Sequence, residues 1–114
     1  MNTNEIATKG EVYVKKGTSA DEPYVVVRSR DSGCHAGFLT SQVGSSVTLR
    51  NARRLWYWEG AATLSQLAME GTSKPDSCKF PCEVVIILIL GCCELISSNE
   101  VARESIQKVK IWKA

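Results

Sequence analysis

Seven consecutive aliphatic residues, Val84–Leu90 (VVIILIL), constrain this chain more than any other stretch. A membrane helix needs about 20 apolar residues, so the run reads as a strand rather than a span. Apolar residues at every position, without alternation, predict a strand covered on both faces. Through Gly91, Cys92 and Cys93 the same pattern carries on to Ile96, giving one long strand from Val84 to Ile96. On an open sheet edge such a segment would recruit other strands and aggregate. It is therefore expected at the centre of a sheet or inside a subunit interface.

The rest of the chain has to build that sheet. At 114 residues, with 44% hydrophobic and 23% charged residues, the balance is that of one ordinary folded domain spanning 1–114. Met1–Gly10 is polar and aperiodic, expected to be a disordered tail, and Glu11–Lys15 alternates like a short strand. Pro23 opens a strand at Tyr24–Arg30, and Asp31-Ser32-Gly33 turns the chain into a return strand at Cys34–Gln42. Val43-Gly44 turns it again into a strand running from Val47 to Trp58. Tyr24–Trp58 is thus a three-stranded antiparallel meander, of the twisted kind that curls into a small half-open barrel. Gly60 breaks it. Thr63-Leu64-Ser65-Gln66 is a capping box, Leu64, Leu67 and Ala68 share the following helix face, and Gly71 is the stop. Glu70–Glu83 reads as a polar loop. Ser97-Ser98-Asn99-Glu100 offers a second capping box, with Ser97 as the N-cap of a helix reaching about Lys108, and Val109–Trp112 suits a closing strand. The fold class is α+β, with two short helices beside the curled sheet.

Composition narrows the function only by exclusion. A formal charge of +2 does not by itself imply a nucleic-acid partner, although Arg50, Arg53 and Arg54 cluster locally. No basic segment followed by an apolar stretch opens the chain, so no signal peptide is expected and no membrane partner. Five cysteines in such a chain suggest reduced thiols in a cytoplasm. The spacings of Cys78 with Cys82 and of Cys92 with Cys93 are not zinc-knuckle spacings, and small buried thiols are the expected reading. His35 adjoins Cys34, but neighbours on a strand face opposite ways and cannot form a nucleophile–base pair. No G-x-S-x-G, P-loop or dinucleotide fingerprint occurs. No enzyme activity, metal or cofactor is expected.

What remains is basic and aromatic. Arg28, Arg30, Arg50, Arg53 and Arg54 all come from the meander, and guanidinium forks match phosphates and stack on purines. Trp56, Tyr57 and Trp58 supply stacking surfaces, unless the tryptophans are core and the arginines merely solvated. Asn99 and Arg103, four apart, lie on one helix face and form either an anion pocket or a plain cap.

The segment Val25–Gly71 resembles a family of small bacteriophage proteins. Their pattern runs V-x-x-R-(x)4-G-x-x-x-G, here Val25, Arg28, Gly33 and Gly37, and then V-x-L-x-x-A-R-R-L-W-x-W-x-G-A. The second part falls on Val47, Leu49, Ala52–Trp56, Trp58, Gly60 and Ala61. The similarity extends to Cys93–Arg103, whereas the Cys78–Cys93 segment has no counterpart in the pattern. The phage anti-Thoeris sponges look similar over this region. They sequester cyclic ADP-ribose isomers made by TIR-domain defence enzymes, without cleaving them, and some members also bind cyclic oligonucleotides at separate sites. The resemblance implies a ligand held between subunits of a dimer or higher homo-oligomer in the host cytoplasm. It implies Arg28, Asn51, Arg53, Arg54, Asn99 and Arg103 as ligand-binding residues, with arginines on the pyrophosphate, Asn99 on a ribose or base edge, and an aromatic such as Trp56 on adenine. Two other readings fit the residues: a single-stranded nucleic-acid-binding module, or a phage inhibitor that grips a host protein through Trp56 and Trp58.

Overall fold

The computed structural model describes residues 22–114; the expected tail at 1–10 and strand at 11–15 lie outside them. Five strands form one antiparallel sheet: β1 Tyr24–Ser29, β2 Gly33–Val43, β3 Ser46–Arg54, β4 Glu83–Ile89 and β5 Cys92–Ser97. Helix α1 is Leu64–Glu70 and α2 is Glu100–Lys108, with a 3-10 turn at Pro75–Ser77 between α1 and β4. The α+β class, the meander and the two short helices stand as expected.

The spatial order β4-β3-β2-β1-β5 puts β4 and β5 at opposite edges, yet only Leu90 and Gly91 join them. Three Cα–Cα steps span at most about 11 Å, so the two edges must meet there. The single long strand expected over Val84–Ile96 is instead two strands, broken at Leu90-Gly91. The first pairs with β3 and the second with β1, which curls the sheet into a half-open barrel. Gly91 makes the corner at φ +66°, a left-handed conformation that glycine adopts without steric cost. The Ser29 hydroxyl donates to the Leu90 carbonyl and the Cys92 N–H to that of Ser45, pinning the corner to the ends of β1 and β3.

Two apolar clusters lie on the two faces of the sheet. The inner one holds Val25, Val27, Val47, Leu49, Ala52 and Ile89. The outer one joins Tyr24, Val26 and Ala36 to Leu55, Leu67, Ala68, Phe80 and Ile106, so α1 and α2 cover that face. Phe80, fully buried, comes from the stretch expected to be a polar loop. The strand expected to reach Trp58 ends at Arg54: Leu55 turns into the core, while Trp56 and Tyr57 are exposed.

Half of the first capping box is as expected, with Thr63 Oγ1 accepting from the Gln66 N–H and Gly71 closing the helix at φ +77°; the Gln66 side chain accepts from the Ala62 N–H rather than that of Thr63. The second is displaced. Ser97 is held in β5 opposite Val25, so the helix starts two residues later with Asn99 as its N-cap. Val109–Trp112 forms only an isolated bridge, Ile111 with Phe80.

The largest departure concerns Val84–Leu90. It is not central: β4 is an edge strand, and Val84, Val85, Ile86, Leu88 and Leu90 are exposed, Val85 at 76%. Only β3 pairs with it among the described residues. Sequence pattern reports that a strand needs cover, and it does not report whether the cover belongs to the same chain.

Candidate functional site

A row of side chains crosses the outer face of the sheet. Tyr24 on β1 is opposite Phe38 on β2, Phe38 is opposite Arg50 on β3, and Arg50 is opposite Ile86 on β4. Directly opposed residues share a face, so the four stand side by side. The Tyr24 and Phe38 rings meet edge to face at 5.1 Å between centroids. Arg50 lays its guanidinium 4.7 Å above the Phe38 ring, and its Nε donates to Glu22 Oε1 at 2.7 Å. Its Nη2 is buried and has no partner among the described residues.

Where this row meets the start of α2, a cavity of about 460 Å³ opens, lined by Glu22, Tyr24, Phe38, Ser98, Asn99, Glu100 and Arg103. Its volume lies within the roughly 300–1,000 Å³ range of small-molecule sites. Asn99 Oδ1 accepts from the Ala102 N–H and its Nδ2 donates to the Met69 carbonyl at 2.8 Å, which locks the amide between the two helices. One amide proton and one oxygen lone pair stay uncommitted. Arg103 Nη1 donates to Gln107 Oε1 at 3.0 Å, and Nη2 lies 3.5 Å from Glu100 Oε2. Burial holds the Tyr24 hydroxyl far above its ordinary pKa, with Glu83 adding in the same sense, so it stays protonated and can donate.

Of the residues expected to bind a ligand, only Asn99 and Arg103 line this cavity. Arg28 lies on β1 four residues beyond Tyr24, about 13 Å along the strand, and pairs with Glu94 at 3.0 Å. Arg54 is exposed, its Nη1 on the Ser32 carbonyl. Asn51 has φ +51°, a conformation asparagine tolerates better than most side chains, beside an irregularity in the β2–β3 register. Arg53 is a structural clamp: Nε donates to the Pro81 carbonyl, Nη2 to Phe80, and Nη1 to Ile106 and more weakly to Gln107. Those bonds tie β3 to the end of α2 and to the 80–81 loop, and they leave its fork no room for a phosphate.

Trp56 is 63% exposed and stacks on Trp112, centroids 6.4 Å apart and planes within 6°. Beside them a larger hollow of about 720 Å³ is lined by Tyr57, Asp76, Lys79, Lys110 and Trp112 among others. Lys79 Nζ already sits 5.6 Å from the Tyr57 ring centre and 5.7 Å from that of Trp112.

Cys34 and His35 do not form a nucleophile–base pair. Cys34 packs against the outer cluster and His35 is on the inner side, facing apart as neighbours on a strand must. Burial pushes the Cys34 thiol pKa up, with Arg28 only partly offsetting it, so the thiolate is disfavoured. Among the described residues no three His, Cys, Asp or Glu side chains gather where they could hold a metal ion.

Sequence reasoning missed Glu22, Tyr24 and Phe38 as cavity residues, and it treated Arg50 only as one of several meander arginines. The signal was present: in the β1–β2 hairpin turned by Asp31-Ser32-Gly33, Tyr24 pairs with Phe38.

No curated protein and no solved structure matches the chain. A family model does match, over residues 22–106, which takes in the whole sheet, both capping motifs and the cavity. By that match the chain belongs to the DUF6948 family, a domain of unknown function.

Proposed function

We propose that this protein binds a cyclic nucleotide signal of the cyclic ADP-ribose type and sequesters it without cleavage, as a phage protein acting against host defence in the host cytoplasm. The observation that carries the reading is the cavity at the start of α2, where the rings of Tyr24 and Phe38 meet Asn99 and Arg103, with Arg50 behind Phe38. Each part suits one part of such a ligand. The Phe38 ring gives a base a surface to stack on, and Arg103 gives a pyrophosphate a charged donor. Glu22, Glu100 and the Ser98 hydroxyl accept from ribose hydroxyls, and Asn99 keeps one donor for a base or sugar edge. The resemblance in the meander and in Cys93–Arg103 supports the same reading, including a homo-oligomer, dimer or higher, that closes the site between subunits.

Thermal unfolding against a panel tests this. The panel holds cyclic ADP-ribose isomers, cyclic di- and trinucleotides, linear ADP-ribose and short single-stranded DNA. A ligand at about 100 times its Kd stabilises the fold by about 2.7 kcal/mol. A shift confined to cyclic nucleotides is expected; a shift with DNA alone would replace the reading with a nucleic-acid module.

A second reading has its own observation. The exposed Trp56–Trp112 stack is the sort of aromatic surface that anchors a protein partner, which fits an inhibitor of a host protein. It predicts no shift with any member of the panel.

A further inference from the structure

We infer that the free edge of β4 is a pairing surface for a second copy of this chain, the two β4 strands running antiparallel about a twofold axis. The cavity reading is not needed for this; the argument rests on β4 itself.

Monomeric proteins guard sheet edges with lysine, proline, bulges or very short strands. From Val84 to Leu90 there is no charge, proline or glycine, and the pairing with β3 runs from Val47 opposite Ile89 to Arg53 opposite Glu83 without a register shift. The backbone of a seven-residue strand on that edge therefore has one side without a strand partner among the described residues. Ile86 and Leu88 are exposed on the outer face beside Arg50 and Thr48, and Val84, Val85 and Leu90 extend the patch along the strand.

A second copy is the occupant these features fit. An uncharged strand can lie antiparallel to itself with no like charges opposed. Centred near Ile86, the pairing puts Glu83 opposite an aliphatic residue of the other copy. The two faces are equivalent, as a twofold interface requires. Five exposed aliphatic side chains from each copy then meet across the axis, alongside the paired strand backbones.

The pairing has a consequence for the cavity. The row Tyr24, Phe38, Arg50, Ile86 ends at the β4 edge, two strands or about 10 Å from Phe38. In the pair, this row runs on into its symmetry mate. The outer faces then form the floor of a trough with an α2 helix at each side, and both cavities open onto it.

Sedimentation of the full chain without nucleotide tests the pairing, comparing wild type with Ile86→Lys and Leu88→Lys. The wild type should sediment as a dimer or an even multiple, and each lysine variant should halve that mass while keeping the wild-type circular dichroism. A monomeric wild type at about 100 µM, or variants that assemble like it, would overturn the pairing. Hydrogen exchange gives a reading independent of variants: the amides of 84–90 should become more protected as protein concentration rises. Protection that is strong and independent of concentration in a monomer would put this chain's own residues on the edge, and would equally overturn the proposal.

Discussion

His35 lies opposite Val27 in the barrel interior, 1% exposed, with neither ring nitrogen bonded among the described residues. Burial, with the nearby Arg54 charge, lowers its pKa from 6.5 to about 4. Between those values the unfolded chain takes up a proton that the folded chain refuses. Stability therefore falls as pH drops from 6.5 towards 4, and this contribution levels off below about 4. The whole loss is about 3 kcal/mol, and His35→Leu should flatten that part of the curve in urea titrations run at pH 7, 5.5 and 4. Arg53 makes a different point at the same scale. Removing it takes charge-assisted hydrogen bonds, each contributing about 1.5–3 kcal/mol, from the carbonyls of Pro81, Phe80 and Ile106, although Phe80 keeps the Trp112 N–H and Ile106 that of Val109. Arg53→Ala should cost at least about 3 kcal/mol by denaturant unfolding, and Arg53→Lys should recover little, since an ammonium cannot reproduce the fork. Arg54→Ala, at an exposed position, should stay within about 0.5 kcal/mol. Arg103→Ala should leave unfolding nearly unchanged yet weaken nucleotide binding ten-fold or more, because a charge-assisted bond contributes about 1.5–3 kcal/mol. Arg28→Ala, about 13 Å from the cavity, should leave binding unchanged when both are compared by calorimetry. The two neighbouring arginines look alike in sequence, and only the tertiary position of Phe80 and α2 separates their roles.

Elements whose cause is local were legible. Both meander turns fall within one residue of the expected places, at 30–32 and 44–45, and Thr63 with Gly71 brackets α1, because each signal acts within four residues. The second helix start was misplaced since two adjacent candidates compete. Ser97 is taken by the β1–β5 ladder, a long-range pairing that leaves Asn99 to cap. Asn99→Ala should cost about 1 kcal/mol for the cap, and more through the lost bond to Met69. At Gly91 an added Cβ would meet nothing within 4 Å, so crowding plays no part there. Gly91→Ala should nonetheless destabilise by about 1–2 kcal/mol through its left-handed φ alone. Gly91→Asn should cost less, a comparison that thermal unfolding resolves.

For the whole molecule, the class and the curled sheet were readable because alternation and turn spacing are periodic signals. Of the candidate cavity's lining, only Asn99 and Arg103, its helical half, were singled out from the sequence. Its sheet half depends on register, which brings Glu22, Phe38 and Arg50 together from three segments. The apolar run was read correctly as a strand and wrongly as a central one: it forms an edge whose outer side has no strand partner among the described residues. Central to the account is retention of an intact nucleotide. The direct measurement is to mix excess protein with a cyclic ADP-ribose isomer, pass it through a membrane that retains protein, then denature the retained fraction and identify what it releases. The nucleotide should stay with the protein and return chemically unchanged on unfolding. Nucleotide that filters freely, or returns as a linear product, contradicts it.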